Sequence, residues 1–173
     1  MYLRTSLSRK DNTVGSRPKS QTCAYIAGFL DGDGSLMFQL KKRTDTLRGW
    51  RFMATICLYQ DTRHEEPLHW IRSQLGIGYL SRRNDGISEI RINGFKQVRT
   101  ILSWLLPYTR FKKVQARVIY RACDLLARKE MSALTKKDKI FLCHCLLTVQ
   151  EHNYATRRKK TFRELCTAIG LTP

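Results

Sequence analysis

The 173-residue chain has no apolar run approaching the roughly 20 residues that a membrane-spanning helix needs. No basic amphipathic stretch stands alone as a surface anchor either. A membrane is therefore not among its expected partners. The chain is also poor in acid: 14 Asp and Glu stand against 32 Lys and Arg, a formal net charge of +18. That imbalance asks for a polyanion, and nucleic acid is the commonest one. Its six cysteines contain no C-x-x-C pair, which removes the usual frame for a two-pair zinc site. Cys143-His144-Cys145 lies inside an apolar helical pattern. With Cys23, Cys57, Cys123 and Cys166, these thiols read as small packed hydrophobes. No signal peptide is visible, and a reducing compartment is expected.

What is present suffices for a folded core. A hydrophobic fraction of 42% belongs to a globular protein, and the length fits one domain or two small halves. Residues 1–20 are polar and basic (Arg4, Arg9, Lys10, Arg17, Lys19) and read as a flexible arm, with a transit segment as the other reading. A core is expected over 21–152 and a basic helical extension over 153–173.

Periodicity orders the elements. A helix is predicted from Gln21 to Leu30, with Ser20 or Thr22 as N-cap. Alternation follows, with Leu36, Phe38 and Leu40 inward and Ser35, Met37, Gln39 and Lys41 outward. After a turn around Asp45 to Gly49, Phe52, Ala54, Ile56 and Leu58 point inward, while Arg51, Met53, Thr55, Cys57 and Tyr59 point outward. A helix is predicted over Thr62 to Gln74, with Pro67 near its first turn. "GIGYLSRRNDGISEIRIN" reads as a hairpin turning at Asn84-Asp85-Gly86, with Tyr79, Ser81, Arg83, Glu89, Arg91 and Asn93 outward. Further helices fit Phe95 to Leu105, Val114 to Lys129, Lys136 to Glu151 and Thr161 to Ile169. The expected class is α+β in the order αββαββα, with helices after it.

One face of the expected four-stranded sheet is apolar. The other carries Gln39, Lys41, Arg43, Arg51, Tyr59, Ser81, Arg83, Glu89, Arg91 and Asn93. These are the side chains that read base edges: Arg for guanine, Gln and Asn for adenine, Glu for the cytosine amino group. An ordinary solvated face mixes charge signs more evenly, and double-stranded DNA is the expected ligand.

The stretch "AYIAGFLDGDGSL" sets two carboxylates where a helix should end. An EF-hand beginning at Asp31 would need glycine where Leu36 stands and glutamate where Lys42 stands, so the calcium loop fails. Left-handed glycines ending a helix would account for Gly32 and Gly34, but not for the acids. Carboxylates beside a helix C-terminus meet its partial negative charge, so something cationic must compensate. In a DNA-binding protein a divalent metal is the candidate. Ala24, Ala27 and Gly28 form a small-residue face that lets two helix backbones approach.

"YIAGFLDGDGS" resembles the signature helix of the LAGLIDADG homing endonucleases, specifically the single-motif branch encoded by group I introns in organellar ribosomal RNA genes. The resemblance runs from about Gln21 to about Leu147 and includes "QLGIGYL" at 74–80 and "LLPYTRFKKVQA" at 105–116. It implies a saddle-shaped antiparallel DNA-binding sheet and, with a single copy of the motif, a homodimer joined through the 21–31 helix. It implies Mg²⁺, with Mn²⁺ able to substitute, held by Asp33 and the carbonyl of Gly32, while Asp31 caps the joint. Gln60 falls where the family keeps a polar residue that orders water, and Lys112 where it keeps a lysine near the scissile phosphate. His64 stands where relatives carry Arg or Lys. The implied activity is cleavage of both strands of a long pseudo-palindromic site, leaving short 3′ overhangs, in a chloroplast or mitochondrion, or otherwise a nucleoid. The alternatives on the same fold are an RNA-binding maturase acting on intron RNA and a non-cleaving DNA-binding regulator.

Overall fold

The structure, a computed structural model, describes residues 13–44, 49–153 and 158–171. Arg4, Arg9, Lys10, Arg157 and most of the turn expected around Asp45 lie outside the described residues. The elements run α1 (Ser20–Asp33), β1 (Gly34–Lys42), β2 (Trp50–Asp61), α2 (Glu66–Leu75), β3 (Tyr79–Arg82), β4 (Ile87–Asn93), α3 (Phe95–Leu105), α4 (Lys113–Arg128), α5 (Lys136–His152) and α6 (Phe162–Ala168). This is the expected αββαββα order followed by three helices.

The strands form one antiparallel sheet in the order β1-β2-β4-β3. Leu36, Phe38, Leu40, Phe52, Ala54, Ile56 and Leu58 are buried, as alternation predicted. With Ile90 and Ile92 they meet α1, α3, α4 and α5 in a two-layer core. Leu165 and Ile169 of the last helical segment join the same core. All six cysteines are free and buried. Cys143 and Cys145 face inward, while the His144 ring stacks on Phe162 at 4.8 Å. Among the described residues no helix is long and apolar enough to cross a membrane.

Several expectations are corrected. α1 does not stop at Leu30 but runs through both acids to Asp33. It begins at Ser20, with Lys19 at the cap position and no side-chain cap bond. Gly32 and Gly34 are not left-handed: Gly34 has φ −116° and opens β1 in extended backbone. Glycine is needed there for closeness, because a Cβ would lie 2.7 Å from the Leu30 carbonyl oxygen. The helix expected over Thr62 to Gln74 is split: Thr62–His64 form a 3-10 turn, and α2 begins at Glu66 with Pro67 in its first turn. The hairpin turns at Asn84-Asp85-Gly86 as read, with Gly86 at φ +78°.

Candidate active site and nucleic-acid interface

The last turn of α1 answers the problem of its two acids. Asp31 is buried, and its carboxylate accepts backbone N–H bonds from Arg110 at 2.6 Å, Phe111 at 3.2 Å and Lys112 at 2.9 Å. These consecutive amides lie immediately before α4, where N–H dipoles favour an anion. The compensating positive end therefore belongs to another helix. Lys112 also donates Nζ to the main-chain oxygen of Asp31, a carbonyl that the end of α1 leaves without a helical partner.

Asp33 is exposed and has no hydrogen-bond or ion-pair partner among the described residues. Its charge reaches Lys112, however. Burial holds the Lys112 ammonium below its ordinary pKa, while the carboxylates of Asp31 and Asp33 pull it back up. Gly32, beside Asp33, is exposed in the same turn.

Gln60 is the penultimate residue of β2, two positions beyond Leu58, which pairs with Gly34 at the start of β1. The register thus brings Gln60 to the α1–β1 joint. Its Oε1 accepts the Asp61 N–H at 2.9 Å. His64 closes the exposed 3-10 turn. Sequence reasoning overlooked its neighbours Asp61 and Arg63. Asp61 accepts the Arg63 N–H at 2.9 Å and the guanidinium at 3.0 and 2.8 Å. The Arg63 hydrogen bonds, with a smaller contribution from His64, hold the Asp61 carboxyl well below the ordinary range. An aspartate two residues before an arginine at a strand end was the available signal.

The outward sheet face forms cross-strand rows. One runs Tyr79–Arg91–Cys57–Ser35, a second Ser81–Glu89–Tyr59, and a third Asn93–Thr55–Met37. Gln39 lies opposite Met53, and Lys41 opposite Arg51. The middle of the face is covered, not open: Thr55, Cys57 and Glu89 lie on the outward face as expected but are buried there. Thr55 donates to Asn93 Oδ1 at 2.7 Å, and Ser35 and Tyr59 hydroxyls lie 3.1 Å apart. Arg91 donates to Glu89 Oε1 at 2.9 Å, and Ser81 to the same oxygen at 3.4 Å. Burial pushes the Cys57 thiol pKa up against the pull of Tyr59 and Arg91. Arg83 and Arg43 fall just outside β3 and β1, in the connections, and Arg83 pairs with Asp85 at 2.6 Å.

A second surface adjoins the acids. Gln21, Ala24, Tyr25, Gly28 and Gly32 are exposed along α1, whereas Ala27 is buried in the chain's own core, correcting the predicted small-residue face. A Cβ on Gly28 or Gly32 would meet nothing within 4 Å. Tyr25 packs edge-on to Trp70 at 5.2 Å, and both are exposed. Phe111, whose amide binds Asp31, is 86% exposed, and nearby Val114 is exposed as well. Tyr25 and its partner Trp70, and Phe111 beside Asp31, thus lie near the open stripe of α1, whereas exposed Tyr79 stands on the outward sheet face.

This fold and residue arrangement has known counterparts. The chain is 32% identical over 124 residues to DNA endonuclease I-CvuI of Chlorella vulgaris, covering 69% of this chain and 77% of that one. It is 27% identical over 138 residues to DNA endonuclease I-CreI of Chlamydomonas reinhardtii, covering 79% and 82% respectively. A crystal structure of I-CvuI bound to the I-CreI target with 2 mM Mg, its DNA not cleaved, superposes with a TM-score of 0.72 at 28% identity, over 89% of this chain and 98% of that one. Residues 26–119 match the sequence profile described as LAGLIDADG endonuclease. The chain belongs to the LAGLIDADG endonuclease family.

Proposed function

We propose that this protein is a site-specific endonuclease that cuts double-stranded DNA as a homodimer, with one Asp33 from each copy serving each strand. The observation that carries the reading is Asp33 itself: an exposed, unpartnered carboxylate beside Lys112, at the edge of a cationic sheet face. Two exposed small residues on α1, Ala24 and Gly28, and the apolar side chains of Tyr25, Trp70 and Phe111 support a second copy packed there.

The donor set fits a hard divalent cation. Asp33 offers a carboxylate, and Gly32 a carbonyl in the final helical turn, where carbonyls lack intrahelical partners. Among the described residues no group of three or more His, Cys, Asp or Glu is placed to hold a metal. Asp33 and the Gly32 carbonyl would hold such a cation from this chain. Mg²⁺, or Mn²⁺ in its place, supplies Lewis-acid polarisation and a lowered pKa for bound water. The I-CvuI structures with Mg and with Ca, each bound to a DNA target, support divalent metal use.

The chain's own residues do the rest. Gln60, held by the Asp61 amide, orients attacking water at the joint. Lys112, anchored on the Asp31 carbonyl, meets the charge that builds on the phosphate as water adds and the 3′ oxygen leaves. His64, at the end of the 3-10 turn, offers an imidazole to a phosphate or its attacking water. Arg83, Arg91, Asn93, Gln39, Tyr79 and Ser81 read base edges, while Lys41, Arg43 and Arg51 hold phosphates. Glu89 and Tyr59 order this row. The product carries short 3′ overhangs, and an organellar group I intron is the proposed setting.

Asp33→Asn tests the assignment. Cleavage of a duplex selected from a randomised library should disappear with Mg²⁺ present, while gel-shift affinity stays within a few fold. The amide keeps the shape but not the charge that holds the cation. Wild-type cutting by this variant would remove Asp33 from the mechanism.

A further inference from the structure

Glu65 follows the 3-10 turn directly and is only 8% exposed. Its carboxylate accepts Nε of Arg82 at 3.1 Å on each oxygen and Nη2 at 2.5 Å. It also accepts the Ser88 hydroxyl and lies 3.4 Å from His69 Nε2. Ser88 Oγ is in turn 3.1 Å from Thr62 Oγ1, and the Thr62 N–H donates to the Gly86 carbonyl at 2.8 Å. Ser88 sits opposite Gln60 in the β2–β4 register, and Arg82 ends β3 between Ser81 and Arg83.

One buried acid thus binds both strands of the β3–β4 hairpin to the segment that carries Gln60 and His64. Stability alone gives little reason for such a pair, because apolar side chains of similar volume fill a site as well. A carboxylate held by several donors fixes distance and angle, which an apolar contact does not. The two segments are joined by side chains that neither metal nor phosphate chemistry requires.

We propose that Glu65, through Arg82 and Ser88, is a positioning residue that makes cleavage depend on correct reading by the β3–β4 hairpin. The proposal rests on the endonuclease reading above. A hairpin seated on its base pairs holds Arg82, Arg82 holds Glu65, and Glu65 sets the 3-10 turn, so that Gln60 and His64 stand at the scissile phosphate. A hairpin displaced by a mismatch moves that turn. A misplacement on the order of 1 Å costs about 100-fold in rate without removing any reacting group.

The test uses the full chain, a duplex selected by the wild-type protein, and the same duplex with one base pair changed where Arg83→Ala relaxes preference. Single-turnover cleavage at saturating protein is measured beside gel-shift affinity. For the wild type the changed base pair should slow the saturated rate beyond its effect on affinity. Glu65→Gln should cut the matched duplex about 100-fold more slowly with affinity within threefold, and the changed base pair should no longer alter its saturated rate. Arg82→Lys keeps the charge, loses the two-pronged fork and leaves no cavity, so it should fold and behave alike. The double variant should be no slower than either single one, and Glu66→Gln, on the exposed neighbour, should match the wild type. Wild-type saturated rates in Arg82→Lys or Glu65→Gln would overturn the coupling, as would losses confined to affinity or additive losses in the double variant. A wild-type protein that binds but cuts no duplex would overturn the endonuclease reading, and the coupling with it.

Discussion

Two acids separated by one glycine take opposite parts because of helical geometry. Residues two apart on an α-helix point about 200° from each other. When Asp31 faces the amides before α4, Asp33 must face out. Asp31→Ala should therefore cost stability, on the order of 2 kcal/mol, because three backbone donors lose their acceptor. Thermal melting should show the loss, and cleavage by the fraction that remains folded should persist, since Lys112 keeps its bond to the main-chain oxygen. An Asp31→Ala protein that melts like the wild type yet cannot cut would give Asp31 a chemical role instead. The family motif was legible in "GFLDGDGS". The cradle that holds Asp31 was not, because its three donors come from backbone about 80 positions away.

At the scale of elements, the proposed endonuclease would read bases with its sheet and grip phosphates beyond it. Arg91 is held by Glu89 at 2.9 Å in the middle of the outward face, while Arg158 and Lys159 are exposed beyond α5. Arg91→Ala should relax preference at particular base pairs, at about 1–3 kcal/mol if its contact is bidentate. Replacing Arg158, Lys159 and Lys160 by Ala should weaken all sequences alike and flatten the salt dependence. Selection on randomised duplexes at two salt concentrations distinguishes these outcomes, and a uniform loss in Arg91→Ala would leave the face a charge patch only. The connection after β2 should be sensitive to acid. Hydrogen bonds from Arg82 and Ser88 lower the Glu65 carboxyl from 4.5 to about 2. A carboxyl depressed on folding stabilises above its unfolded value and loses that contribution as pH falls through its folded value. Acid titration by circular dichroism should show stability declining from about pH 4.5 towards 2, with a smaller decline in Glu65→Gln. An equal decline in both proteins would assign the acid sensitivity elsewhere, for instance to Asp138 at the N-terminus of α5, also lowered to about 2.

The whole molecule is a cation of +18, and α1 carries an open stripe at Ala24, Gly28 and Gly32. β1 is nine residues long, which at the strand rise spans about 30 Å, roughly nine base pairs. Two copies related by a two-fold axis should read a pseudo-palindrome of about twice that length. Gly28→Leu tests the assembly. A Cβ at Gly28 meets nothing within 4 Å of this chain. Leucine should even favour the helix, by roughly 1 kcal/mol over glycine. Sedimentation should nevertheless show a folded monomer, and double-strand cleavage should fail. A dimeric, fully active Gly28→Leu protein would move the interface away from α1.

Local rules written in the chain were enough for the element order, the inward rows of β1 and β2, the hairpin turn and the cationic outward face. Each depends on neighbours two to four positions apart, where periodicity and turn chemistry act. The LAGLIDADG-like motif and its following segments singled out Asp33, Gln60 and Lys112 as candidates, and the fold brings Lys112 to the Asp31 carbonyl and Gln60 to the α1–β1 joint. Tertiary structure alone decided that α1 continues through its acids, because the amides before α4 offset a helix end that sequence rules would close early. It buried Thr55 and Cys57 on the outward face, since cross-strand neighbours cover a row that alternation by itself exposes. It turned Ala27 inward and left Gly28 open, because spacing along a helix defines a stripe but not which of its edges meets the core. And it joined Glu65 to Arg82 and Ser88 across 17 and 23 residues, a contact created when the hairpin folds back on the turn after β2.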